Sequence, residues 1–282
     1  HQKIMDLKKI NSLTELFFYQ FEKQKDKNKV FLSSLKEPRK NYSWKETFES
    51  INKISQELKK YVNKGDRCLL ISENRPEWLI SDLAIMLSES ITVPAYTTYA
   101  ERDYEYIIND CAPTVIFVSN AEQFNKVKNI IKNKKFIKKV FSFDNLENVD
   151  SNEYQNINNL FFELKIAKNI PETFLKRKDP ACIIYTSGTS GKPKGVVLTH
   201  KSIRSNLIGS LDIFKNINFY NEKYISFLPL SHSYEHTAGQ FIPLLTSSEI
   251  YYAENLEKLF ANFKEINPTY IAAVPRFYEA IY

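Results

Sequence analysis

Apolar positions along this chain alternate between two rhythms. Ser12 and Glu15 stand as a capping pair ahead of Leu16, Phe17 and Phe21, and Ser43 with Glu46 repeats the arrangement ahead of Phe48, Ile51, Ile54 and Leu58. Both segments are predicted as amphipathic helices. Short apolar runs follow at residues 68–71, 91–93, 115–118 and 136–141, separated by helical patterns near 76–87, 101–109 and 121–132. Such alternation predicts an α/β architecture, with mostly parallel strands covered by helices.

Residues 144–179 interrupt the rhythm, being rich in Asn, Glu and Lys, and read as a connecting segment between a first α/β part, 1–143, and a second, 180–282. In the second part strands are predicted at 182–185, 196–199, 224–228, 249–252 and 270–274. Helices are predicted at 200–214, 235–245 and 255–266.

Composition narrows the classes. With 43% apolar and 14% aromatic residues in 282, the chain can bury one large core or two modest ones. The charge of +6 is mild. Seven lysines between residues 126 and 139 are interleaved with Val127, Ile130, Ile131, Phe136 and Ile137, the pattern of a solvated outer face and not of a nucleic-acid groove. Cys68, Cys111 and Cys182 are odd in number and lie in apolar surroundings, which predicts buried free thiols in a reducing compartment. Neither a signal peptide nor a membrane-spanning run is visible, so a cytoplasmic protein is expected, with peripheral membrane contact left open.

The densest chemistry lies at residues 185–195, Tyr-Thr-Ser-Gly-Thr-Ser-Gly-Lys-Pro-Lys-Gly, which holds three of the six glycines. Glycines let backbone N–H groups close around an anion, while Thr186, Ser187, Thr189 and Ser190 donate hydrogen bonds and Lys192 and Lys194 add positive charge. A Walker A loop does not fit: Gly188 and Gly191 are too close, and Pro193 follows Lys192 where Ser or Thr is required. Strand formers on both flanks predict a loop joining two strands, where an ordinary turn with solvated lysines is the plain alternative. Downstream, residues 226–239 run Ser-Phe-Leu-Pro-Leu-Ser-His-Ser-Tyr-Glu-His-Thr-Ala-Gly. A strand end broken by Pro229 would present Ser231, His232, Ser233 and Glu235 together, although a histidine beside such a turn is often purely structural.

These segments together resemble the AMP-forming acyl-activating superfamily, most closely the N-terminal part of a long-chain fatty acid acyl-CoA synthetase. Residues 185–195 are similar to its phosphate loop, 228–239 to its Leu-Pro-Leu-x-His motif, and 268–282 to its Pro-Thr…Val-Pro-Arg…Tyr stretch. Tyr42-Ser-Trp44, Lys64-Gly-Asp-Arg67, Ser72-Glu-Asn-Arg-Pro-Glu-Trp78 and Thr92-Val-Pro-Ala-Tyr96 agree as well. Two positions depart: Glu89 replaces a frequent glycine at a helix terminus, and His236 replaces a frequent arginine at what would be a pocket rim.

The resemblance implies the N-terminal portion of a layered α/β large domain, incomplete because the family's adenine and ribose motifs, hinge and late lysine have no counterpart before Tyr282. It implies ATP, Mg²⁺ and CoA as substrates with a fatty acid, and an isolated chain that does not turn over. A nucleotide- or acyl-binding module of the same fold is the alternative. The implied phosphate cradle is Thr186, Ser187, Gly188, Thr189, Ser190 and Gly191, with Lys194 supplying charge and Thr186 or Thr189 touching Mg²⁺. His232, Ser233 and Gly239 are implied at the acyl or carboxylate pocket, with Lys194 and His232 as catalytic residues. No aspartate occurs in 228–239, where an amino-acid activator would need one.

Overall fold

The computed structural model describes residues 9–160, 169–187, 191–210 and 222–271. In chain order the first elements are α1 (Leu13–Lys23), β1 (Val30–Ser34), β2 (Asn41–Ser43), α2 (Trp44–Leu58), β3 (Arg67–Ile71), α3 (Pro76–Leu87) and β4 (Ile91–Ala95). They are followed by α4 (Glu101–Cys111), β5 (Val115–Val118), α5 (Ala121–Ile131), β6 (Lys139–Ser142) and β7 (Gln155–Asn156). The capping pairs act as expected at α2, where Ser43 Oγ accepts from the Glu46 amide and Glu46 reaches back to the Ser43 amide. At α1, Ser12 caps Glu15 but the Glu15 carboxylate turns one residue further, to the Asn11 amide.

The second stretch contains β8 (Pro180–Ser187), β9 (Pro193–Thr199), α6 (His200–Ser210), β10 (Lys223–Ser226), β11 (Glu249–Tyr252), α8 (Leu259–Ile266) and β12 (Tyr270–Ile271). Between β10 and β11 runs α7, which starts as Ser233–His236, passes through a π-helical turn at Thr237–Phe241 and ends as Ile242–Leu245.

Two sheets form. One has the order β7-β6-β5-β3-β4-β8-β9 and the other β12-β10-β11-β1-β2. Pairings are parallel except the β1–β2 and β8–β9 hairpins, as the alternating pattern predicts. Each sheet draws strands from both sides of residues 144–179: β8 and β9 extend the first, and β1 joins the second through Leu32 opposite Ile250.

Helix α3 lies between the sheets and is buried on every side. A helix in such a place should be apolar all round, and Trp78, Leu79, Ile80, Leu83, Ile85 and Met86 meet that demand. Glu77 and Asp82 do not, and both are matched by partners from distant segments. The three cysteines are buried and free of disulfides. Glu89, just past α3, sits at φ +60°, the left-handed conformation a glycine adopts without strain.

Candidate functional site

The β8–β9 hairpin is built for exposure at its tip. Thr92 of β4 lies opposite Cys182 of β8, and continuing that register places Ala95, the last residue of β4, beside Tyr185. Thr186 and Ser187 therefore project past the end of their neighbour, and both are exposed, as are Gly191, Lys192 and Lys194. Thr186 pairs directly with Lys194, so the hydroxyl and the ammonium share one face of the hairpin. Gly191 takes φ +81°, as expected where the chain reverses. Gly188, Thr189 and Ser190 lie outside the described residues.

The hairpin root is rigid by contrast. Tyr185 donates to Asp110 Oδ2 at 2.6 Å, and burial, reinforced by that carboxylate, pushes its phenol well above the ordinary range. The Tyr185 ring lies across Gly195, where an added Cβ would stand 3.2 Å from Cζ and 2.9 Å from Ile183 Cγ2. Glycine is thus a packing requirement at 195. At the end of β9, His200 is buried and its Nδ1 accepts the Leu13 amide at 3.2 Å. Burial depresses this imidazole to about 4, in agreement with its acceptor role.

A cavity of about 490 Å³ opens where the carboxyl ends of both sheets converge. Ser72–Arg75 after β3, Tyr96–Thr98 after β4, Asp144 after β6 and Pro229–Ser231 after β10 border it. Ligands of α/β proteins collect at this edge of a sheet. The hairpin tip lies on the same edge, since β8 runs parallel to β4. His232 is exposed next to Ser231, its amide donating to the Pro229 carbonyl at 3.0 Å. Ser233 opens α7.

Gly239 does not line the cavity. It is buried, and an added Cβ would fall 2.0 Å from Glu235 Oε1, so the Glu235 carboxyl fills the space a side chain would need. Tyr224 donates to that oxygen at 2.9 Å. Burial lifts Glu235 to about 8 against the pull of the tyrosine, so it is largely protonated at neutral pH.

His236 corrects an expectation. Instead of standing at a pocket rim it is fully buried, with Nε2 2.8 Å from Asp82 Oδ2 and its ring near Trp78 and Phe241. Gln240 Nε2 donates to the same carboxylate oxygen at 3.2 Å. Burial alone would depress the imidazole, but the Asp82 carboxylate, helped by Cys182, outweighs it and raises the pKa to about 10. The imidazolium answers the charge of the buried Asp82.

Sequence reading missed Asn74, which follows β3 of the other sheet, and Asp82 of α3, which together hold the 226–240 segment. The available signal was a carboxylate in the middle of an otherwise apolar helix pattern. No cluster of three His, Cys, Asp or Glu suited to a metal occurs among the described residues. The hairpin's hydroxyl and ammonium groups instead suit a phosphate, which would bring a divalent ion with it. No helix among the described residues is long and apolar enough to cross a membrane.

Comparison with known proteins agrees with this geometry. Long chain acyl-CoA synthetase 1 of Arabidopsis thaliana is 30% identical over 254 residues, which is 86% of this chain and 38% of that protein. Fatty acyl-CoA synthetase A of Dictyostelium discoideum is 27% identical over 94% of this chain and 41% of its own length. The chain thus spans about two fifths of these relatives. A natural red emitting luciferase from Phrixothrix hirtus superposes with a TM-score of 0.82 at 17% identity, over 95% of this chain and 51% of the luciferase, which shows a shared fold. The profile of the AMP-binding enzymes matches residues 17–282, and the chain belongs to that family.

Proposed function

We propose that the protein containing this chain is an ATP-dependent fatty acid CoA ligase of the AMP-forming type. The fatty acid carboxylate attacks the α-phosphate of ATP, pyrophosphate departs, and the thiol of CoA then displaces AMP from the acyl-adenylate. A carboxylate is a poor electrophile, so the first step serves to install a leaving group. The observation that carries this reading is the exposed hairpin tip, where Thr186 and Lys194 share a face at the carboxyl edge of the sheet. The names of the relatives support a fatty acyl substrate.

In this reading Thr186, Ser187 and Gly191, with Gly188, Thr189 and Ser190 between them, cradle the phosphates. Lys194 balances the charge that grows on departing pyrophosphate, and Thr186 or Thr189 touches the accompanying Mg²⁺. His232 and Ser233 face the carboxylate or thiol end of the substrate, and Gly239 supports them from behind by giving room to Glu235.

The full-length protein is expected to exchange labelled pyrophosphate into ATP only when a fatty acid is supplied. Replacing Lys194 by alanine should slow this exchange by about one to three orders of magnitude, each factor of ten being about 1.4 kcal/mol. Absence of exchange with every fatty acid tried would overturn the ligase reading, whereas an unimpaired Lys194→Ala variant would remove only the lysine's role.

A further inference from the structure

The tripeptide Glu73-Asn74-Arg75 follows β3 after Ser72, and its side chains go to three different places. Glu73 Oε2 accepts from Ser119 Oγ at 2.7 Å, just past β5. Arg75 reaches Asp144, just past β6, through two contacts of 2.9 and 3.2 Å. Both stay within the seven-stranded sheet. Asn74 instead crosses to the other sheet, where its Nδ2 donates to the Leu228 carbonyl at 2.6 Å and to Ser226 Oγ at 3.2 Å. Its Oδ1 accepts the Leu230 amide at 3.1 Å.

These contacts bracket Pro229, which has no N–H and interrupts the backbone pattern just where β10 has ended. A carbonyl before the proline and an amide after it need a donor and an acceptor on one short, planar group. Asparagine offers both; aspartate lacks the donor and serine lacks the reach. Once Leu228 and Leu230 are held, the turn continues through the His232 amide to the Pro229 carbonyl and the His236 amide to the His232 carbonyl.

We propose that Asn74 is the positioning residue of the 228–232 loop, holding His232 beside the cavity from the opposite sheet. Its consequence for catalysis rests on the role of His232 given above. The test uses the full-length protein and two readouts. By hydrogen exchange, Asn74→Ala should quicken exchange in the peptide covering 227–232 by tenfold or more, with β3, β10 and α3 unchanged. Asn74→Asp, isosteric but without the donor, gives the same readout if the alanine variant does not fold. Ser119→Ala, which removes a contact of Glu73 and none of Asn74, should leave that peptide as it is.

By pyrophosphate exchange, Asn74→Ala should be slower by about tenfold at saturating substrates, and the Asn74→Ala/His232→Ala double variant no slower than His232→Ala alone. Unchanged exchange at 227–232, loosening spread evenly over both sheets, or multiplicative losses in the double variant would each overturn the proposal. If His232→Ala turns over normally while Asn74→Ala still loosens the loop, positioning by Asn74 stands and the role given to His232 falls.

Discussion

The tip of the β8–β9 hairpin and the segment from Ser226 to Gln240 hold polar groups in opposite ways. At the tip, Thr186, Ser187, Lys192 and Lys194 are exposed and are placed by strand pairing between near neighbours in sequence. In the 226–240 segment, Ser226, Glu235, His236 and Gln240 are buried; Asn74, past β3, and Asp82, in α3, hold Ser226, His236 and Gln240 from more than a hundred residues earlier, and Tyr224 of β10 holds Glu235. In the function proposed above, the groups that meet a charged ligand are left to water until the ligand arrives. The surface behind them is fixed by interactions water cannot reach.

The largest expected effect comes from breaking the buried side of this contrast. Asp82→Ala strips the His236 imidazolium of its counter-charge, and loss of one partner of a buried pair costs about 3–5 kcal/mol. Denaturant unfolding should show this loss, and a cost below about 1 kcal/mol would mean that the pair contributes no more than a surface bridge.

Next in size is a difference in pH response. His200, at the hairpin root, has a depressed pKa, so its stabilising contribution is complete above about pH 6.5 and is lost as pH falls through about 4. The loss is on the order of 3 kcal/mol. His236 and Glu235 have raised values and behave in the reverse sense. The histidine's contribution is complete below about pH 6.5 and lost as pH rises through about 10; the carboxyl's is complete below about 4.5 and lost as pH passes about 8. His200→Asn, which can accept the Leu13 amide without titrating, should flatten the acid limb of the stability profile, and Glu235→Gln the limb up to pH 8. Identical acid limbs for His200→Asn and wild type would contradict the assignment.

The smallest effect sharpens the comparison through two glycines. Gly239→Ala drives a Cβ onto the Glu235 carboxyl, and Gly195→Ala presses one against Ile183 and Tyr185. Overpacking costs about 1–3 kcal/mol, with Gly239→Ala expected to be the costlier because its clash is deeper. Equal melting temperatures for the two variants would show that Glu235 swings aside freely.

Much of the hairpin was legible because everything that specifies it is local. Glycines, hydroxyls and flanking strand formers sit within one short run, and the two-strand reading of its flanks holds. Helix α3 was legible from end to end through its length, its apolar content and Pro76 at its start. The strand β1 was not, because Val30–Ser34 is a short, centrally buried run without alternation whose parallel partner, β11, lies at the far end of the chain. The π-helical turn also escaped: a helix over 235–245 was expected, but its irregular centre arises where Gly239 gives way to Glu235. His236 was misplaced for a non-local reason, since its partner Asp82 lies 154 residues away.

That separation also has a meaning in time. Ribosomes add about 5–20 residues per second, so roughly eight to thirty seconds pass between the appearance of Asp82 and that of His236. During this interval neither Asp82 nor β1 has its distant folded-state partner available. The β1–β11 pairing, and with it the joining of β1 to β10 in one sheet, can form only once residues 249–252 have been made.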